Sequence, residues 1–408
     1  MSKSILMVPN ATGSGHNMRA FALANELRTI NPFQEVNVLL GSMQDVFTPL
    51  FKNIGVEVVS TESSVVDHAK VGHLEKVLDR EHFIDGYLVP TFLNGSKMLD
   101  YLSYYEKLEP EIVVSDYNLT ASIAAIIGGY RHVLVTERYD FSLVQLSNDD
   151  FRAAGFAVKD QEINRVRPAL TSIFDWLLRN SALVLTDKPP LADLDSGTAL
   201  YSRSEESKVK FVGPMTRPTP KNVDYEQVRA ELGLGAGPLF VACVGGTTMF
   251  MENKLKAIQV YREAFAKLRE KHPDAEMVLI GRGTSAVNDE GVHTFDYLTD
   301  WMSLLACASA LIAQPGWITV TEVAALGIPT IFVLGGRGEY HEVEALRRLK
   351  ALGFPTAIEP TMAELYELLE GAANGKLSER CADALSTLAP TGSRATGTAA
   401  AMISELVS

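Results

Sequence analysis

Ser4-Ile5-Leu6-Met7-Val8-Pro9-Asn10-Ala11-Thr12-Gly13-Ser14-Gly15-His16 is the stretch whose reading decides the fold. An apolar run of strand length ends in a glycine-rich turn, and the stretch Met18–Thr29 follows with helical character. A strand feeding a helix through small residues is the opening unit of a doubly wound α/β sheet, which binds ligands at the carboxyl ends of its strands. Small residues let backbone N–H groups approach a ligand, and a helix N-terminus favours negative charge. The spacing is not a dinucleotide fingerprint, because Met18 stands where the third glycine belongs and no acidic residue ends the second strand. A tight turn with no ligand is the plainer reading of the same residues.

The alternation continues outward. Val36–Leu40, Val56–Ser60, Glu111–Ser115, His132–Val135 and Leu183–Thr186 read as strands, with helices expected at Ser64–Arg80, Gly95–Leu108 and Leu119–Gly128. Ile112-Val113-Val114, framed by Pro110 and Asp116, has the composition of a strand covered on both faces. Pro214, Pro218 and Pro220 then stiffen a connection that reads as a linker. A second series follows, with strands at Leu239–Val244, Glu276–Ile280, Val292–Phe295, Ala310–Ala313 and Thr330–Val333. Its helices are expected at Asn253–Lys271, Trp301–Ala308, Thr319–Leu326, His341–Leu352 and Met362–Ala373. The expected architecture is α/β: two doubly wound, Rossmann-like domains, 1–213 and 214–394, facing across a cleft. A final helix in 395–408 can pack on either.

Composition narrows the function. The 408 residues are 47% hydrophobic and 21% charged, enough for full cores, and the net charge of −13 argues against nucleic acid and anionic bilayers as partners. Cys243, Cys307 and Cys381 form no C-x-x-C pair and read as reduced thiols of a cytoplasmic protein. The N-terminal apolar run is far below the ~20 residues of a membrane span.

His16 opens a helix beside the glycine turn, where imidazole suits a general base near neutral pH. Asp116 ends another strand of that sheet and is placed to orient His16 and stabilise its protonated form, although strand-end carboxylates are common. In the second half, Gln314-Pro315-Gly316-Trp317-Ile318-Thr319-Val320-Thr321-Glu322 follows a buried strand and enters a helix. Its helix N-terminus and the Thr319 hydroxyl suit a diphosphate, and Glu322 suits ribose hydroxyls; alternatively Thr319 and Glu322 form a capping box. Val244-Gly245-Gly246-Thr247-Thr248 and Ile280-Gly281-Arg282-Gly283-Thr284 end two further strands. Three such loops in one domain point to a nucleotide cleft, where Arg282 adds charge-assisted bonds to phosphate. Asp193-Leu194-Asp195 reads as a turn rather than a metal–diphosphate motif, and His68, His73 and His82 lack the spacing of zinc ligands. No metal site is expected. Neither a P-loop nor a nucleophile elbow is present in the sequence.

Taken together these residues resemble the two-domain (GT-B) glycosyltransferases of family 28, which include the bacterial peptidoglycan N-acetylglucosaminyltransferase and the plastid galactolipid synthases. Gly13-Ser14-Gly15-His16 is similar to the family's N-terminal glycine-rich loop and histidine. Tyr297-Leu298-Thr299-Asp300-Trp301-Met302 is similar to its base-binding segment, and Gly316 through Pro329 to its donor motif. Gly335-Gly336-Arg337-Gly338-Glu339-Tyr340-His341-Glu342 falls where the family contacts the donor sugar.

The resemblance implies that the Leu298 main chain reads the nucleobase, Gly246 and Thr247 approach phosphate, Gly316 and Thr319 hold the diphosphate, and Glu322 the ribose. His341 and Glu342 would meet sugar hydroxyls, where the family often has glutamine and asparagine. It also implies a UDP-sugar as donor substrate, no cofactor, and acceptor recognition by the first domain. The expectation is an inverting, metal-independent transfer to a small soluble acceptor in specialised metabolism, with His16 as base. A lipid-linked acceptor, a nucleotide-sugar epimerase and a non-catalytic nucleotide-sugar-binding subunit are the alternatives. The aromatic stretch Phe83–Leu93 carries Asp85 and no lysine or arginine, which suits an acceptor pocket better than an anionic membrane.

Overall fold

The computed structural model describes residues 4–11, 14–61, 76–244, 251–281, 289–296, 298 and 300–407. The chain divides into two compact units, residues 1–217 with 395–408, and residues 218–394.

The strands of the first unit are β1 (Ser4–Pro9), β2 (Glu35–Gly41), β3 (Glu57–Thr61), β4 (Val77–Leu78), β5 (Ile112–Asp116), β6 (Arg131–Val135), β7 (Ala157–Val158), β8 (Leu183–Thr186) and β9 (Val209–Phe211). Seven of them form one sheet in the order β3-β2-β1-β5-β6-β8-β9, and β4 pairs with β7 apart from it. Every pairing in the large sheet is parallel. The chain winds outward from β1 to β3, then crosses back to lay β5 on the other side of β1, so the topological switch lies between β1 and β5. Register sets Pro9 opposite Asp116 there.

All residues of β1 and β5 are buried, as expected for strands covered on both faces, and each such Leu, Ile or Val contributes roughly 1.5–3 kcal/mol. The helix Ser14–Ile30 buries Ala20, Leu23, Ala24 and Leu27, a single stripe at helical spacing. That stripe packs on Ile5, Met7 and Val36, and also on Ala399, Ala400 and Ile403 of the C-terminal helix Thr396–Glu405. The Thr396 hydroxyl donates to the Thr216 carbonyl at 2.8 Å and accepts from the Thr216 amide at 2.9 Å, fastening this helix to the first unit.

One expected helix is corrected. Of Ser64–Arg80, residues 62–75 lie outside the described residues, and Val77–Leu78 is strand β4. Its amphipathic pattern ends where Asp79 accepts from the His82 amide at 2.8 Å and starts a wide π-turn over Arg80–Leu88. Phe83, Ile84 and Leu88 of that turn are buried.

The second unit holds β10 (Leu239–Cys243), β11 (Glu276–Ile280), β12 (Val292–Phe295), β13 (Ala310–Ala313), β14 (Thr330–Leu334) and β15 (Thr356–Ile358). They form a parallel sheet in the order β12-β11-β10-β13-β14-β15, with its switch between β10 and β13. The core runs continuously from Phe240 and Phe265 through Leu304, Leu311, Phe332 and Leu369 to Leu388. Among the described residues no helix is long and apolar enough to cross a membrane.

Candidate functional site

At the switch of the first unit, the helix Ser14–Ile30 presents His16 and Arg19, one turn apart and therefore on one face. His16 Nδ1 lies 2.8 Å from Asp116 Oδ1. An ionised carboxylate can only accept, so Nδ1 carries a hydrogen, which in the neutral ring leaves the lone pair on Nε2. The imidazole stacks parallel to Tyr117, ring centroids 6.2 Å apart. Tyr117 has φ of 46°, a left-handed conformation unusual for a residue with a side chain. The Asn10 side chain donates to its carbonyl at 2.8 Å, and its own amide donates to Val135 at 2.9 Å. The strained corner is thus over-determined by hydrogen bonds, and it re-aims the chain beneath the histidine. Gln44 ties Asn17 to the same corner, its Nε2 donating to Asn17 Oδ1 at 2.7 Å and to the Asn10 carbonyl at 3.4 Å.

Arg19 is the residue that the sequence reading missed. Its guanidinium, 1% exposed, donates from Nε to Asp116 Oδ2 at 2.8 Å and from NH2 to Asp116 Oδ1 at 2.6 Å. Its NH1 reaches Asp187 Oδ2 at 3.0 Å and Glu137 Oε2 at 3.4 Å. Asp116, Glu137 and Asp187 end or closely follow the neighbouring strands β5, β6 and β8, so one arginine serves three strand-end carboxylates. Burial alone would lift the Asp116 carboxyl, but Arg19 and His16 outweigh it and hold it below the ordinary carboxylate range. Burial is likewise outweighed at Glu137, where His16, Arg19, Arg138 and Lys188 draw the carboxyl down to about 2. At Asp187 burial wins, helped by Glu137 and Asp116, and the carboxyl is pushed up to about 6. The signal available in the sequence was position: Asp187 follows the strand Leu183–Thr186 as Asp116 ends its own.

An aromatic wall continues from this corner. Tyr117 meets Phe92 at 5.9 Å and Phe174 at 6.4 Å between centroids, Phe92 meets Tyr87 and Phe141 at 6.3 Å, and Tyr87 meets Phe83 at 5.4 Å. The aromatics of the Phe83–Leu93 stretch therefore turn towards Tyr117 and Phe141. Asp195 is fully buried and accepts from the Leu191 amide at 2.7 Å, a turn-closing role.

In the second unit, the helix Trp317–Leu326 begins with Gly316 at its N-cap, which has no side chain to cap the first turn. Thr319 and Glu322 accordingly form no capping box; Thr319 sits inside the first turn, and Glu322 accepts from Trp301 Nε1 at 2.9 Å. Among the described residues, a Cβ on Gly316 would meet nothing within 4 Å. Leu298 is half-buried, followed by Asp300, whose carboxylate caps Ser303 at 3.1 Å. His341 and Glu342 occupy the first turn of the helix Tyr340–Leu352, their charged atoms 3.8 Å apart.

Glu339, also unforeseen, joins two of these segments: it accepts from Gln314 at 2.9 Å and from Asn253 at 3.2 Å. It is 1% exposed, and burial lifts its carboxyl above the ordinary range. Gly335 and Gly336 let Asn253 approach, since a Cβ on Gly336 would stand 2.2 Å from its side-chain nitrogen. Gly13, Gly246, Thr247 and Arg282 lie outside the described residues; Gly15, the first-turn neighbour of His16, is half-buried.

Two parallel α/β sheets with these switch points make up the GT-B glycosyltransferase fold. Solved structures agree over the whole chain: the glycotransferase of kitacinnamycin is 18% identical, with 100% of both chains covered and a TM-score of 0.66. The spinosyn rhamnosyltransferase SpnG, in its complex with thymidine diphosphate, is 12% identical over 98% of this chain and 100% of its own, at 0.61. MurG of Acinetobacter baumannii is 17% identical over 99% of each chain, at 0.57.

No family model matches the chain. Among curated proteins, a UDP-N-acetylglucosamine–N-acetylmuramyl-(pentapeptide) pyrophosphoryl-undecaprenol N-acetylglucosamine transferase of Acetivibrio thermocellus is 24% identical over 160 residues, 35% of this chain and 41% of that protein. A protein of the same name from Exiguobacterium sp. is 44% identical over 48 residues, 12% of this chain and 13% of its own. The matches thus span less than half the length of these relatives.

Proposed function

We propose that this protein is an inverting glycosyltransferase that moves a sugar from a UDP-sugar to a hydroxyl of a small soluble acceptor. The observation that carries the reading is the buried His16–Asp116 pair at the switch of the first sheet, Nδ1 2.8 Å from the carboxylate, an arrangement that in the neutral ring leaves Nε2 to accept a proton. Nε2 takes the proton of the acceptor hydroxyl as its oxygen bonds the anomeric carbon. The bond from that carbon to the diphosphate breaks on the opposite face, releasing UDP with inversion. Gly316 and the amides of the following turn, with Thr319, take the diphosphate; Leu298 lies beside the base and Glu322 beside the ribose, and His341 and Glu342 meet sugar hydroxyls. Gly246, Thr247 and Arg282 complete the phosphate side, so developing charge is met by fixed donors without a metal ion.

The acceptor half of the proposal is supported by the aromatic wall. Phe83, Ile84 and Leu88 are buried, and Phe92 packs on Tyr117 and Phe141, an inward arrangement suited to a small, partly apolar acceptor. The curated relatives are named for a lipid-linked acceptor, and sedimentation with anionic liposomes separates the two readings. Stoichiometric binding at physiological salt overturns the soluble acceptor and restores the lipid-linked one.

The donor is tested by thermal shift across UDP, thymidine diphosphate and their sugars. A ligand at 100 times its dissociation constant stabilises by about 2.7 kcal/mol. Incubation of UDP-N-acetylglucosamine without acceptor excludes an epimerase if the sugar is unchanged. With the donor in hand, an acceptor panel read by mass spectrometry should give an inverted glycoside. Binding with no turnover on any acceptor favours a non-catalytic subunit.

A further inference from the structure

We infer that Arg19 is a positioning residue: it fixes the Asp116 carboxylate so that His16 keeps its hydrogen on Nδ1 and its lone pair on Nε2. The inference rests on the reading of His16 as the base and adds to it the group that sets its tautomer.

The geometry assigns Arg19 this task. Among the described residues, His16 and Arg19 are the side chains that donate to the Asp116 carboxylate. Oδ1 is shared by His16 Nδ1 at 2.8 Å and Arg19 NH2 at 2.6 Å, while Oδ2 takes Arg19 Nε at 2.8 Å. Two parallel bonds from a planar guanidinium fix the carboxylate plane, a constraint that a lysine would not impose. Arg19 is itself clamped from the far side by Asp187 Oδ2 at 3.0 Å. Its NH2 stands 3.4 Å from His16 Nδ1, and with the ring hydrogen on Nδ1 both groups donate to the shared oxygen.

Without this cation, a carboxyl that is 2% exposed loses its main compensation for burial. Buried acids left so tend to keep their proton. A protonated Asp116 can donate to Nδ1, moving the ring hydrogen to Nε2 and abolishing the acceptor that the reaction needs. The charged groups facing this point are His16 and Arg19 from the first helix, Glu137 and Arg138 after β6, and Asp187 and Lys188 after β8.

The experiment is nitrogen NMR on histidine-labelled protein, with the His16 signals assigned by their loss in His16→Ala. The wild-type protein should show a protonated-type Nδ1 and an unprotonated-type Nε2, and Arg19→Gln should show the mixed or reversed pattern. In turnover assays Arg19→Gln should lower kcat by about 10-fold or more at unchanged donor KM, with the acid limb of the pH profile moved up by about one unit. Because Arg19 acts through Asp116, the double variant Arg19→Gln/Asp116→Asn should be no slower than Asp116→Asn alone. A wild-type tautomer in Arg19→Gln, or additive losses in the double variant, overturns the inference. If Arg19→Gln does not fold, Arg19→Lys keeps the charge without the fork, and a wild-type tautomer with wild-type kcat there overturns it equally. Normal turnover by His16→Ala removes the base reading instead, a result that the NMR pattern does not mimic.

Discussion

The two units carry the same kind of switch point and fill it in opposite ways. Between β1 and β5 the first unit crowds His16, Arg19, Asp116, Glu137 and Asp187 into a largely buried hydrogen-bonded network of titratable side chains. Beside β13 the second unit presents Gly316, where a Cβ would meet none of the described residues, and a helix start with no side-chain cap. In the proposed function one end holds a proton acceptor in one orientation, and the other supplies backbone donors to a ligand. The difference teaches that a parallel sheet supplies the location while the residues after each strand decide between side-chain chemistry and backbone recognition.

The largest effect expected from breaking this contrast is on stability. Arg19→Met leaves Asp116 and Asp187 buried without their cation and should cost about 3–5 kcal/mol, read by denaturant unfolding. Asp116→Asn keeps shape and burial but loses the charge that orients His16; kcat should fall within the ~10²–10⁴ range of a compromised general base while the UDP dissociation constant holds. In the second unit the glycines separate packing from ligand approach. Gly336→Ala drives a methyl into Asn253 and should cost about 1–3 kcal/mol of stability. Gly316→Ala meets none of the described residues and should leave the melting temperature unchanged while weakening UDP about 10-fold, roughly 1.4 kcal/mol.

The smallest effect is a pH dependence. The Asp187 carboxyl keeps its proton to about 6 in the folded protein, above its ordinary value, so the native state binds more protons between the two. Stability from this group therefore declines as pH rises through that window. Asp187→Asn should flatten the decline in melting temperature between pH 4 and 6, and an unchanged slope contradicts the assignment.

Much of this was legible in the residues. Strand–turn–helix alternation located both sheets, and strand ends pointed to His16, Asp116 and Gly316. Arg19 and Asp187 escaped because their meaning lies in sheet order: they meet only when β5, β6 and β8 become neighbours. The helix Asp160–Asn180, with Leu170, Phe174 and Leu177 at helical spacing, was hidden by Pro168 in its middle. Thr319 and Glu322 match a capping box in pattern, but the helix starts at Trp317, three residues too early for Thr319 to be its N-cap.

The division of labour between the two switch points is tested most directly by titrating UDP into His16→Ala and measuring its turnover on the same acceptor. The account predicts turnover lowered by ~10²–10⁴ with UDP affinity at the wild-type value, because the base lies on one unit and the diphosphate site on the other. Near-normal turnover, or a loss of UDP affinity matching the loss of rate, would contradict it.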